Sequence, residues 1–334
     1  MIVKITKSSP LILLCLLLGL EASTGSADLW GFFGHKRINR MAVFTLPPEM
    51  FGFFKEHIEF LTEHAVDPDK RRYAVEGEAP RHYIDIDHYA HGGNDPFEVV
   101  PKQWDDAVEK LSEDTLQAYG IVPWHVDVMV SRLSHAMRTD DTYYILRTAA
   151  DLGHYVGDAH VPLHTTENYN GQLTGQKGIH GFWESRVPEL FADDYDYFVG
   201  RAQYVDDVLD YTWNEVEKSH RAVDSVLTFE KKLTEQFASD KKYGIETRGS
   251  TTVQTYSRPF SEAYSEMLDG MIERRMRQSI ISLGSLWYTA WVDAGQPDLD
   301  NLKEAVPSQE QLAEEEELKQ QYDQGKIKGR EHPH

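Results

Sequence analysis

The chain has 334 residues and a formal net charge of −21, from 55 acidic against 34 basic side chains, with one cysteine. That balance excludes stable binding of duplex nucleic acid through a basic surface, because such binding rests on neutralising phosphates with Lys and Arg. Phosphate chemistry itself stays open, since bound cations would add local positive charge that a residue count omits.

Met1 to Ala27 has the pattern of a secretory signal: Lys4 and Lys7 precede the apolar run Leu11–Leu20, and Gly25-Ser26-Ala27 offers small residues for cleavage. Ten apolar residues are too few to span a bilayer, which takes about 20. The expectation is therefore a secreted or periplasmic protein with transient membrane-surface contact at most. Cys15 lies inside that run, so the processed chain has no thiolate ligands, and any metal is held by nitrogen and oxygen. The remaining length, without a Gly/Ser-rich or Pro-rich linker, predicts one domain over residues 28–306 and a charged tail over 307–334.

In chain order, Trp30-Gly-Phe-Phe-Gly-His35 leads into a helical pattern over Lys36 to Leu46, stopped by Pro47-Pro48. A second helix is predicted over Glu49 to His64, with Phe51, Phe54, Ile58 and Leu61 on its apolar face. Asp67-Pro has the composition of a turn, and His82 follows Pro80 in a loop or extended stretch. His88 and His91, in a Gly/Asn/Asp-rich loop, are left outside any site. Helices are then predicted over Pro101 to Ala118 and Pro123 to Met137, each with proline in its first turn, and from near Asp140 through His154. Thr165 to Gly178 has loop composition. Helical patterns return over Val205 to Phe237 and Phe260 to Asp293, the latter with Tyr264, Met267, Met271, Met276 and Ile280 as a core stripe. Strand signals are almost absent, and the fold class is all-α.

The densest chemistry lies in His154-Tyr-Val-Gly-Asp158-Ala-His-Val-Pro162-Leu-His164, followed by His180-Gly-Phe-Trp-Glu184. His154 and Asp158 are four apart and share a helical face, as do His180 and Glu184. Pro162 ends the first helix and leaves His164 on the turn beyond it. An isolated pair of this kind is ordinarily a surface or capping interaction. Five such groups within thirty-one residues exceed what one zinc needs and point to a cluster of metals.

With Trp30, His35, Asp67 and His82 in front, the ordered pattern resembles the superfamily of bacterial zinc-dependent phospholipase C and the single-strand-specific zinc nucleases. The resemblance runs from Trp30 to about Leu190. It implies a helical domain around three zinc ions. The first would use Asp67, His82, His154 and Asp158; the second His164, His180 and Glu184; the third His35, a shared Asp158 and the α-amine and carbonyl of Trp30. It further implies hydrolysis of phosphate esters by a zinc-bound hydroxide, with Asp67 orienting or deprotonating the water. Cleavage after Ala27 leaves Asp28 and Leu29 ahead of Trp30, so either the chain is trimmed further, or the third site is weak, or Asp28 takes the place of the amine.

The step from Trp30 to His35 is that of the nucleases, whereas Glu184 stands where the nucleases carry aspartate and the phospholipases glutamate. Glu184 and the acidic surface make a phospholipase C-like phosphodiesterase the leading expectation, with Phe32, Phe33, Tyr83 and Trp183 as an apolar approach for acyl chains. The alternative is a nuclease on single-stranded DNA or RNA, where the same rings would stack bases. A zinc-binding protein without catalysis is the third reading.

Overall fold

The computed structural model describes residues 31–72, 74–248, 251–302, 307 and 309–323. The leader, Trp30, His332 and His334 lie outside the described residues. Helices dominate: α1 (Gly31–Ala42), α2 (Pro48–Glu56), α3 (Ile58–Glu63), α4 (Asp67–Arg71), α5 (Pro96–Val99), α6 (Trp104–Leu111), α7 (Glu113–Tyr119) and α8 (Val122–Arg138). They continue with α9 (Thr142–Ala159), α10 (Ile179–Gly181), α11 (Val187–Phe191), α12 (Val208–Gln236), α13 (Arg258–Met267), α14 (Met271–Asp293) and α15 (Gln309–Asp323). The all-α class holds.

The differences from expectation have local causes. The predicted helix over Glu49 to His64 breaks at His57, whose ψ of 17° departs from helical geometry. Pro101 to Ala118 divides at Ser112, with φ of 69° and a hydroxyl that caps α7 by accepting from Thr115 N. Phe260 to Asp293 divides at Asp269 and Gly270, both at positive φ. One antiparallel hairpin was not expected: β1 (Tyr243–Arg248) pairs with β2 (Thr251–Tyr256), Tyr243 opposite Tyr256 and Ile245 opposite Gln254. Its β-branched content was present in the sequence, but Ile245 is 78% exposed, so the strand lacks the buried apolar face by which strands are recognised.

The frame of the molecule is α9. Asp141 caps its start, its carboxylate accepting from Tyr144 N. Its end comes where Val161 turns extended ahead of Pro162. Between these points nearly every residue is buried, because α8, α1, α3 and α14 pack around it. Two apolar clusters result. The larger joins α1, α8, α9 and α14 through Leu146, Leu152, Leu133, Leu283 and Trp287. The smaller joins Leu163, Phe182 and Trp183 to Tyr264, Ile272 and Met276, so the stripe on the last long helices is core, as expected.

The close approach of α1 to α9 depends on two glycines one turn apart. A Cβ at Gly153 would lie 1.8 Å from Asn39 Oδ1, and one at Gly157 would lie 2.8 Å from His35 Nδ1. Asn39 is buried and donates to Leu61 O at 2.9 Å and Ala150 O at 3.0 Å, so it cannot swing aside without losing both bonds. Gly153→Ala is therefore expected to destabilise the fold by about 1–3 kcal/mol. A urea-unfolding midpoint unchanged from the parent would contradict this packing.

Candidate metal centre

His154 and Asp158 leave the inner face of α9 one turn apart. Around them gather His82, from the loop after α4; Asp69, from α4 itself; His35, from α1; and His164, from the turn at Pro162. Asp158 Oδ2 lies 2.9 Å from His82 Nδ1 and 3.3 Å from His154 Nε2. His154 Nε2 is 3.0 Å from His82 Nδ1 and 3.5 Å from Asp69 Oδ1, and His82 Nδ1 is 3.8 Å from Asp69 Oδ1. A tetrahedral zinc with bonds of about 2.0–2.1 Å places its ligand atoms about 3.3 Å apart, in the middle of this range. His82, His154 and Asp158 form one group of donors within 4.8 Å of one another, and Asp69 borders it through His154 and His82.

Asp158 presents its other oxygen elsewhere. Oδ1 is 3.5 Å from His35 Nε2 and 3.6 Å from His164 Nε2. His164 Nε2 in turn lies 3.3 Å from Glu184 Oε2, and His180 Nε2 lies 2.8 Å from the same oxygen. His164, His180 and Glu184 form a second group of donors within 4.8 Å of one another. Glu184 sits on a π-helical turn (Phe182–Arg186), a widened geometry frequent at functional sites. On the remaining side His35, Asp69 and His154 are grouped, with the His35 ring stacked on His154 at 3.9 Å. His35 is 5% exposed and occupies the space left by the absent Cβ of Gly157. That is the physical use of the glycine in His-x-x-Gly-Asp.

The tautomers are set from behind. Nδ1–H of His154 donates to Ala65 O at 2.9 Å, that of His164 to His82 O at 2.6 Å and that of His180 to Tyr169 O at 3.1 Å. Each leaves an Nε2 lone pair turned into the cluster. His82 is mounted the other way, Nδ1 inward and Nε2 3.6 Å from the buried Glu78 Oε1. Glu78 is held by Arg81 at 2.6 Å and by the Tyr155 hydroxyl, which stations a buried carboxylate behind the His82 ring.

The electrostatics call for cations. Burial works against charge on Asp158, yet His154 and His164 pull its pKa well below the usual range. Glu184 is likewise held low against burial by His180 and His164. His154 and His164 are pushed up despite burial, His154 by Asp158 and Asp69, His164 by Asp158 and Glu184. Protons on imidazole thus do what metal ions would do here, and metal binding displaces them. His35 is lowered to about 4, by burial first and then by His154, and so keeps a neutral ring with a lone pair to give.

One expectation is corrected. The structure does not bring Asp67 into the cluster; Asp69 stands there, buried at 5% exposure. The Asp67 carboxylate meets His64 Nδ1 at 2.6 Å, Lys70 at 2.9 Å and Arg147 at 3.2 Å. Burial alone would raise its pKa; His64, Arg147 and Lys70 outweigh it and hold the group well below the carboxylate range. The segment is helical rather than a turn, and residues two apart on a helix point to opposite sides. Recognising Pro68 as a first-turn proline would have shown that only one of the two aspartates can face inward. Glu78 was also missed, having no spacing signal. Tyr83 and Trp183 are buried at 7% and 3% exposure and serve as packing, while Phe33 carries the Arg37 guanidinium 4.8 Å above its ring. His88, stacked on Tyr119 and 3.4 Å from Glu167 Oε1, stays outside the cluster.

Two variants separate the aspartates. Asp69→Asn is expected to lower bound zinc, whereas Asp67→Asn retains the parental content and loses about 1–3 kcal/mol of stability through the arginine and lysine left unneutralised. Elemental analysis with urea unfolding reads both, and metal loss in Asp67→Asn with none in Asp69→Asn would reverse the assignment. Asp158→Ala is expected to lose more than one equivalent of zinc; loss of a single equivalent would refute the shared carboxylate.

No curated protein matches the chain. A family model does: that of the S1/P1 nuclease, over residues 30–288.

Proposed function

The chain belongs to the S1/P1 nuclease family of zinc-dependent phosphodiesterases, within the superfamily that also holds zinc-dependent phospholipase C, and from this premise we propose that it cuts single-stranded nucleic acid. The family match carries the choice and reverses the preference for a phospholipase that Glu184 suggested. Glu184 does not stand against it. The side chain is one methylene longer than aspartate, and its Oε2 still meets both His180 and His164. Tyr83 and Trp183, buried in packing, lend no support to an apolar approach for acyl chains.

In this reading Asp69, His82, His154 and Asp158 would hold one zinc, and His164, His180 and Glu184 would hold a second. His35 and the second oxygen of Asp158 would hold a third, for which the Trp30 amine is the expected partner. Zinc bound there supplies Lewis acidity and lowers the pKa of water to about 7. The chain's own groups do the rest. The carbonyls of Ala65, His82 and Tyr169 keep the imidazoles of His154, His164 and His180 in one tautomer, and the Glu78 carboxylate lies 3.6 Å behind the His82 ring. Asp69 takes over the part assigned to Asp67 in orienting water or accepting its proton. The single-strand preference is supported by the family and by the charge of −21, which disfavours a duplex held along its backbones. Export to the cell exterior or periplasm is supported by the apolar run at Leu11–Leu20.

The test is a paired assay of zinc-loaded protein on single-stranded DNA and on phosphatidylcholine vesicles. Hydrolysis of DNA alone is expected, falling by at least about a hundredfold in His164→Ala, whose second group loses one of three donors. Hydrolysis of the vesicles alone would overturn the reading.

A further inference from the structure

Residues of α8 and α9 line a cleft of about 840 Å³, and none of the clustered donors lines it. Four guanidinium groups stand in its wall, those of Arg71, Arg81, Arg132 and Arg147. Three have carboxylates of their own. Arg71 forks Asp151 at 3.2 and 2.9 Å, Arg147 meets Asp67 at 3.2 Å and Arg81 meets Glu78 at 2.6 Å. The fourth differs: Arg132 is exposed, has no carboxylate within 4.0 Å among the described residues, and touches Met129 Sδ at 3.9 Å.

The acidic groups of the same wall do not cancel it. Asp151 is taken by Arg71, and Asp141 is engaged in capping α9. Asp127 is half-buried, and burial, with Asp207 adding to it, raises its pKa. His135, three residues after Arg132, shares its helical face and also lines the cleft. Tyr144, 52% exposed, adds an aromatic surface to the same wall. An uncommitted guanidinium, a neighbouring imidazole and an exposed ring together fit an anion that carries an organic group.

We propose that this cleft is a second, non-catalytic site that binds a small phosphomonoester, its phosphate on Arg132 and His135 and its organic part against Tyr144 and Met129. Guanidinium pairs with phosphate through two parallel hydrogen bonds, which favours an oxyanion of this kind over a halide. The volume is that of a small-molecule pocket rather than of a bare ion. The choice of phosphomonoester also rests on the function proposed above, since hydrolysis of a phosphodiester releases that group.

Calorimetric titration of the zinc-loaded full chain with phenyl phosphate, and tungstate soaks of its crystals, test the site. Binding is expected to weaken about tenfold or more in Arg132→Glu, with circular dichroism unchanged. It should stay at the parental value in Arg138→Glu, which makes the same charge change on the same helix outside the cleft. Tungsten density is expected beside Arg132. An isotherm unaltered by Arg132→Glu, equal weakening in both variants, or tungsten confined to the metal cluster would overturn the proposal. Arg132-dependent binding in a protein that cleaves no nucleic acid would remove the proposed function and leave the site standing.

Discussion

One carboxylate, that of Asp158, faces imidazoles along both of its edges. Oδ2 is turned to His82 and His154, and Oδ1 to His35 and His164. A buried anion with four imidazoles about it is tolerable only if positive charge arrives from somewhere, because an isolated charge in a low-dielectric interior is strongly unfavourable. Protons on the rings satisfy that demand in part. Divalent cations satisfy it better, and they use the lone pairs that the backbone carbonyls of Ala65, His82 and Tyr169 aim inward.

That arrangement explains the architecture around it. The Asp158 side chain must be held fixed from behind, and α9 achieves this by being enclosed by other helices along nearly its whole length. The glycines at 153 and 157 let α1 settle closely enough to bring His35 over the cluster. Pro162 stops the helix one turn after Asp158, which lets His164 turn back toward the same carboxylate. The donors thus come from elements far apart in the chain, and the cluster staples α1, α4 and α9 to the loop bearing His82 and the π-helical turn bearing Glu184. Metal binding and folding are coupled in such a design.

Much of this was legible in the sequence where spacing and helical period agree. His154 with Asp158 and His180 with Glu184 are four apart, and Pro162 marks its own helix end. The helical class followed from periodicity in the same way. What escaped was set by orientation rather than by identity. Asp67 and Asp69 have the same chemistry, and only the short helix α4 decides which faces inward. Glu78 acts through His82 and leaves no pattern of its own. The breaks at Ser112 and Gly270 depend on positive φ, and the first strand of the hairpin leaves Ile245 exposed. Choosing between phospholipid and nucleic acid was beyond the ligand set, because the donors that gather zinc are nearly the same for both.

The central claim is that several zinc ions share one pocket through the two oxygens of Asp158. Anomalous scattering at the zinc edge from crystals of the zinc-loaded protein tests it most directly. The expected map has one peak among Asp69, His82, His154 and Asp158, another between His35 and the second oxygen of Asp158, a third among His164, His180 and Glu184, and no peak at Asp67. A single peak, or one bound by Asp67 with Asp69 turned away, would contradict the account.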